Sequence, residues 1–308
     1  YIEGIADKKV VNEILEKIDN IKIDGILESG YIEEFLSGRP YLLFPIMYTT
    51  ERPDKVAGNL LEGRVAIITD GTPFVLVAPA IFIQFFQSNE DYYQLPLFAS
   101  FIRIIRYFCF FLALLTPAVY ISITTFHQEM LPTQLLISIS GQRESVPFPA
   151  LVEVIFMELT FEILREAGLR MPRAIGHAVS IVGALVLGEA AVNAGIVSTI
   201  MIIIVSITAI SSLIFPEYNF SNPIRLLRFV FIILASFLGL FGIAVGLIIL
   251  TIHLCSIRSF GVPYMYPIAP FNFKAMKDTF IRAPLNSHFK RPSLIADDNL
   301  KREKDMKE

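Results

Sequence analysis

Three stretches of this chain run for twenty residues or more without a charged side chain: 107–126, 190–216 and 229–257. At roughly 1.5 Å per residue, a helix of ~20 residues spans the ~30 Å hydrocarbon core of a bilayer. Backbone surrounded by lipid must satisfy its own N–H and C=O groups, which leaves a helix as the conformation for such a stretch. Hydrophobic residues make up 54% of the chain and charged residues 18%, a balance that places it in the membrane class. The chain opens at Tyr1 without an initiator methionine and reads as part of a longer protein.

The first run, YFCFFLALLTPAVYISITTF, follows Arg103 and Arg106, which read as anchors at its cytoplasmic end, and carries Pro117 mid-span, where a kink is tolerated. Adding the small-residue segment before residue 197 gives four expected spans, at about 101–126, 174–196, 197–216 and 227–254. The helix expected over 150–167, ALVEVIFMELTFEILREA, interrupts an apolar pattern with Glu153, Glu158, Glu162, Arg165 and Glu166. It either lies at the interface or packs inside the bundle. If it does not cross, four spans leave both ends cytoplasmic, the preferred arrangement. If it crosses, Arg165, Arg170 and Arg173 move inside and the tail moves out. No internal repeat is visible, which weighs against carriers built from inverted halves.

Residues 1–100 carry 15 acidic and 8 basic side chains and read as the C-terminal part of a soluble α/β domain. KKVVNEILEKIDNI puts Val10, Val11, Ile14, Leu15 and Ile18 on one helical face. FPIMYTT reads as a short buried strand, and ERPDKVAGNLLEG as a helix with Pro53 in its first turn. In RVAIITDGTPFVLVAP two β-branched runs flank Asp70-Gly71, a hairpin signal. FIQFFQSNEDYYQ closes the region with aromatics at helical spacing. Residues 101–258 form the expected membrane domain. Residues 259–308, with 9 basic and 6 acidic side chains, read as a short cytoplasmic tail beside an anionic leaflet. The fold class expected is a polytopic α-helical membrane protein with an N-terminal soluble α/β domain and a C-terminal tail.

Enzyme signatures are missing: there is no GxxxxGK[ST] loop, no GxGxxG after a strand, no HExxH and no GxSxG. Cys109 and Cys255 fall in apolar runs and read as buried small hydrophobes, and the four histidines are scattered. No catalysis, cofactor, metal or nucleic acid is expected. The informative segment is IGHAVSIVGALVLGEAAVNAGIVS, 175–198, where Glu189 and Asn193 sit within small and apolar residues. Helical spacing aligns Val182, Val186, Glu189, Asn193 and Ile196 on one face. A carboxylate at mid-membrane costs roughly 2.5–3.5 kcal/mol on insertion scales, so such residues face a bundle interior or a water-filled path. Three readings stand: an ion path, a structural pair with Arg165 or Arg225, or a partner contact. A second pointed feature is GQRESVPFPALVE, 141–153. Here Arg143 and Glu144 precede Pro147, Pro149 and Glu153, and spacing alone favours a helix-entry turn with an exposed ion pair.

Several long phrases in order, among them EGRVAIITDGTPFVLVAP, ESVPFPALVEVIFMELTFEILREAGLRMP, AVSIVGALVLGEAAVNAGIVS, NPIRLLRF, YPIAPF and DTFIRAPL, resemble the A subunits of GerA-family spore germination receptors. The resemblance implies an integral protein of the spore inner membrane in an endospore-forming bacterium. Such subunits act with a transporter-like B subunit and a lipoprotein C subunit, and oligomerise, as pentamers, into a nutrient-gated monovalent cation channel. Carried onto this chain, Val182 or Val186 forms the hydrophobic constriction, with Glu189 and Asn193 facing the pore. Arg143, Glu144, Pro147, Pro149 and Glu153 make a gating or coupling segment. The family pattern G-Q-A-A-V-E-A-G has acid and amide exchanged relative to Glu189 and Asn193, which moves a carboxylate ring by one helical turn, roughly 6 Å. The alternatives carried beside the channel are a secondary nutrient transporter and a non-conducting scaffold of the receptor complex.

Overall fold

A computed structural model of the chain describes residues 1–38, 42–172, 188–273, 275–284, 291–292 and 294–296. The chain forms two units, one of Tyr1–Tyr107, Phe215–Pro223 and Leu250–Glu308, the other of Phe108–Ile214 and Ile224–Ile249.

In the first unit, α1 (Lys8–Asp19) starts at Asp7, whose carboxylate accepts from the Lys9 N–H and so meets one orphan donor of the first turn. It buries Val10, Val11 and Ile14, but Leu15, assigned to the same face by spacing, is 49% exposed. After α2 (Ser29–Ser37) come β1 (Tyr48–Thr50), α3 (Pro53–Leu61) with Pro53 in its first turn, β2 (Val65–Ile67) and β3 (Val75–Ala78). The sheet is antiparallel in the order β1-β3-β2, with Tyr48 opposite Val77 and Ile67 opposite Leu76. Asp70 and Gly71 lie in the β2–β3 connection, where the hairpin signal put them. The aromatics of 82–86 form a short 3-10 turn rather than an α-helix, with all five side chains buried, and α4 (Glu90–Tyr93) follows.

The core of this unit draws on three separated stretches. Phe82, Phe85 and Phe86 pack around Phe220, Phe85 stacking on it at 5.0 Å between ring centroids, and Tyr264 adjoins Phe82 and Phe85. Such ring pairs add about 0.5–1.5 kcal/mol each beyond their burial. Beyond β4 (Arg258–Ser259) and β5 (Val262–Pro263), Ala296 bridges Ala6, and the Ser259 hydroxyl donates to the Ile46 carbonyl at 2.7 Å. Described residues of the expected tail, among them Tyr264, Ile295 and Ala296, are therefore packed, and the sheet-bearing stretch shares its core with them. A basic surplus reports net charge only, and is blind to Tyr264 and Ile295, which are fully buried.

Helix α5 (Pro96–Phe126) starts in this unit. Arg103 and Arg106, expected at a lipid headgroup level, are instead buried. Arg103 donates to Asp278 at 2.8 Å and Arg106 donates to Asp91 at 2.8 Å, so their counter-charges are carboxylates of the protein.

The second unit holds the rest of α5, then α6 (Thr133–Arg143), α7 (Ala150–Arg170), α8 (Gly188–Asn193), α9 (Thr199–Ser212) and the middle of α10 (Tyr218–Ser256). Its core joins Tyr120 and Ile121 of α5, Ala150 and Val154 of α7, Met201 and Val205 of α9, and Ile232 of α10. Contacts at successive levels fix the directions. Arg228 meets both Ala113 and Glu158, whereas Val154 lies with Tyr120 and Ile232, so α7 runs antiparallel to α5 and to the first leg of α10. Glu153 meets Ser198 and Arg165 meets Ser212, so α9 runs parallel to α7.

Among the described residues α5 and α10 are long and apolar enough to cross a membrane, and α9 is a shorter apolar helix. The single crossing expected over 227–254 is not one straight helix. At Gly239 the backbone leaves the helix (φ 62°, ψ −145°), a conformation open to glycine. A Cβ on Gly246 would lie 2.7 Å from the Phe231 ring, and one on Gly242 2.3 Å from the Leu234 carbonyl oxygen. In a continuous helix fifteen residues separate positions by about 22 Å. The chain therefore reverses at Gly239, and its two legs pack at glycines. The expected span 174–196 falls mostly outside the described residues.

Candidate functional site

The polar positions singled out by the sequence lie at the end of α8 and around the α6–α7 turn, both in the second unit. Glu189 and Asn193 belong to α8 and are exposed one turn apart, and Glu189 forms no ion pair among the described residues. Val182 and Val186 lie outside the described residues. Helix α8 ends in a hydrogen-bonded cap: Ile196 N–H donates to Ala191 O and Gly195 N–H to Val192 O, with Gly195 at φ 65°. A Cβ on Gly195 would stand 3.2 Å from the Ser145 carbonyl oxygen, so the α8 terminus rests against the α6–α7 turn.

That turn carries the five residues read as a coupling segment. Arg143 closes α6, its carbonyl accepts from Val146 N–H, and Pro149 is the N-cap of α7. Pro147 and Glu144 are exposed. The ion pair expected between Arg143 and Glu144 gives way to another: Arg143 faces Glu153, Nε to Oε2 at 3.9 Å. Glu153 is buried, and its Oε1 accepts from both the N–H and the hydroxyl of Ser198 at 2.6 Å. Ser198 is the N-cap of α9, so a carboxylate from α7 meets a donor at the start of α9. The structure thus gathers the α8 terminus, the α9 start and residues 143–153 in one place.

The cations considered as partners for Glu189 are engaged elsewhere. Arg165 donates to the Ser212 hydroxyl at 2.5 Å and lies over the Phe161 ring, and Arg225 pairs with Glu162, Nε to Oε1 at 3.0 Å.

One constellation went unread in the sequence. Proline 117 has no N–H, so the carbonyl four residues earlier, that of Ala113, lacks its helical donor. Arg228 Nε donates to it at 2.8 Å, while Arg228 Nη1 donates to Glu158 at 2.6 Å. Both charged side chains are buried, and each keeps one atom with no hydrogen-bond partner among the described residues, Glu158 Oε1 and Arg228 Nη2. The available signals were the mid-helix proline and the arginine immediately before an uncharged run.

A family description, the Bacillus/Clostridium GerA spore germination protein, matches residues 1–294. The chain belongs to the GerA spore germination family. Among GerA relatives, spore germination protein KA of Bacillus subtilis is 56% identical over 308 residues, covering 100% of this chain and 57% of the relative. Spore germination protein A1 of the same organism is 42% identical over 287 residues, 93% of this chain and 60% of the relative. The B. subtilis membrane protein YfkQ is 51% identical over 299 residues, 97% of this chain and 58% of the relative. The chain thus spans somewhat under two thirds of the length of these GerA relatives. No solved structure matches it.

Proposed function

We propose that this chain is the membrane-embedded part of a germinant-receptor A-type subunit. Several copies, five on the family resemblance, enclose a monovalent cation path that nutrient opens. The observation that carries the reading is Glu189: a carboxylate exposed on an apolar segment, without an ion pair among the described residues, with Arg165 and Arg225 bonded to other groups. Facing lipid, it would incur the roughly 2.5–3.5 kcal/mol insertion cost, which a water-filled path shared with other copies removes. Asn193, one turn away, extends the polar lining, and Val182 or Val186 supplies the constriction.

The α10 reversal supports a particular topology. Helix α7, 21 residues and about 31 Å long, is antiparallel to α5 and packed on it, so it crosses alongside α5. The two legs of α10 add a pass, and the first and last stretches of the chain return to the same, cytoplasmic side of the spore inner membrane. B and C subunits of the receptor are the expected partners.

The test is purified oligomer in liposomes with ion-flux readout, together with its partner subunits and nutrient. Glu189→Gln changes the ratio of monovalent cation to anion flux while the oligomer keeps its size, and Val186→Ala raises the leak without nutrient. Unchanged flux in both variants overturns the reading.

A further inference from the structure

Beside the α6–α7 turn lies an open cavity of about 680 Å³ that the pore reading does not use. Its lining includes the aliphatic Leu136 and Ile137 of α6, together with Ser140, Gly141, Arg143 and Glu144. Arg143 is the member with unfinished bonding. Its Nε stands 3.9 Å from Glu153 Oε2, an ion pair beyond hydrogen-bond range, and both atoms are buried with no hydrogen-bond partner among the described residues. Its two Nη atoms make no hydrogen bond among the described residues and are not buried, so a guanidinium lining this cavity is able to take an oxyanion, for which its planar fork is shaped. Glu144 in the same lining repels a simple anion and attracts a cation, and Arg143 does the reverse. Leu136 and Ile137 favour hydrocarbon.

We propose that this cavity binds a small zwitterion with an aliphatic body, its anionic group on Arg143, its cationic group near Glu144 and its hydrocarbon against Leu136 and Ile137. Two sources share this chemistry: a free amino-acid-like solute and the headgroup of an aminophospholipid. Occupancy draws Arg143 toward the cavity. Through Glu153 and Ser198, that movement reaches the start of α9. Binding does not depend on conduction, so it is measured separately from ion flux.

The experiment uses the full chain in lipid nanodiscs. Calorimetry compares norleucine with hexanoate and pentylamine, which each lack one of its charged groups, and native mass spectrometry compares retention of phosphatidylethanolamine with phosphatidylglycerol. Norleucine binding at least tenfold tighter than both single-charge analogues identifies a solute site; selective retention of phosphatidylethanolamine identifies a headgroup site. Arg143→Gln and Glu144→Gln each weaken the positive arm at least tenfold. So does Gly141→Leu, whose added side chain starts in open space at the cavity and leaves the Arg143–Glu153 contact alone. Absence of binding in both arms, equal binding of hexanoate or pentylamine, or undiminished binding by the Glu144→Gln and Gly141→Leu variants overturns the proposal.

Discussion

Arg228 and Glu158 show how a buried pair acts as both an asset and a liability. Each charge loses its hydration, and their mutual bond together with the Ala113 carbonyl offsets that loss only while all three are present. Arg228→Met strands Glu158 and costs about 3–5 kcal/mol, the usual range for breaking a buried pair. Adding Glu158→Leu recovers most of it, because a well-packed apolar pair avoids the desolvation. Thermal unfolding in detergent reads both, and a double variant no more stable than Arg228→Met refutes the account. Glu153 is a comparable case. Glu153→Ala removes two buried hydrogen bonds from Ser198 and costs roughly 3–6 kcal/mol, taking about 1.5–3 for each bond to a charged group. Hydrogen exchange then rises in the first turn of α9 before it rises in α7.

Individual helices carry the next level of argument. Pro117 and Arg228 are coupled through one carbonyl, so Pro117→Ala returns an N–H to Ala113 and partly rescues Arg228→Met. Additive losses in that double variant would deny the coupling. At the α10 reversal, Gly239→Ala costs about 1–3 kcal/mol in backbone strain, and its Cβ meets the His127 ring at 2.9 Å. The same elements show what the sequence made legible. Helix α1, the Pro53 start of α3 and the β2–β3 hairpin were readable because local periodicity, caps and turn residues specify them. The reversal at Gly239 was hidden because every residue around it is apolar, and hydropathy is identical for one long crossing and two shorter legs. Arg103 was misread because its partner Asp278 lies 175 residues further along. Glu189 and Asn193 stood out as polar groups among small residues, whereas the Glu153–Ser198 contact joins residues 45 apart that no spacing rule connects.

At the scale of the whole molecule, the first unit should respond to pH around neutrality. Burial pushes Glu33 up to about 7, with nearby Glu28 adding to it. It also pushes Glu217 up to about 7, with Lys55 partly opposing and Glu33 reinforcing. Both folded values lie above the ordinary 4.5, so the folded state holds protons that the unfolded chain has released. Stability is then highest near pH 4.5 and falls as pH rises to about 7. Glu33→Gln with Glu217→Gln flattens that slope, as denaturation midpoints across the interval would show; an unchanged slope assigns the pH response elsewhere. Composition made the apolar class of this molecule legible and left its partition unread, because the first unit recruits Phe220 and Tyr264 from beyond the apolar helices.

That recruitment has a consequence for biosynthesis. The unit containing α1 and the three-stranded sheet also needs Phe215–Pro223 and residues after Leu250. While translation is still passing through α9, its aromatic core lacks Phe220 and Tyr264, and Ala6 has no Ala296 to bridge. Residues 1–100 must therefore wait, incomplete, while the apolar helices are made and until the residues after Leu250 have left the ribosome.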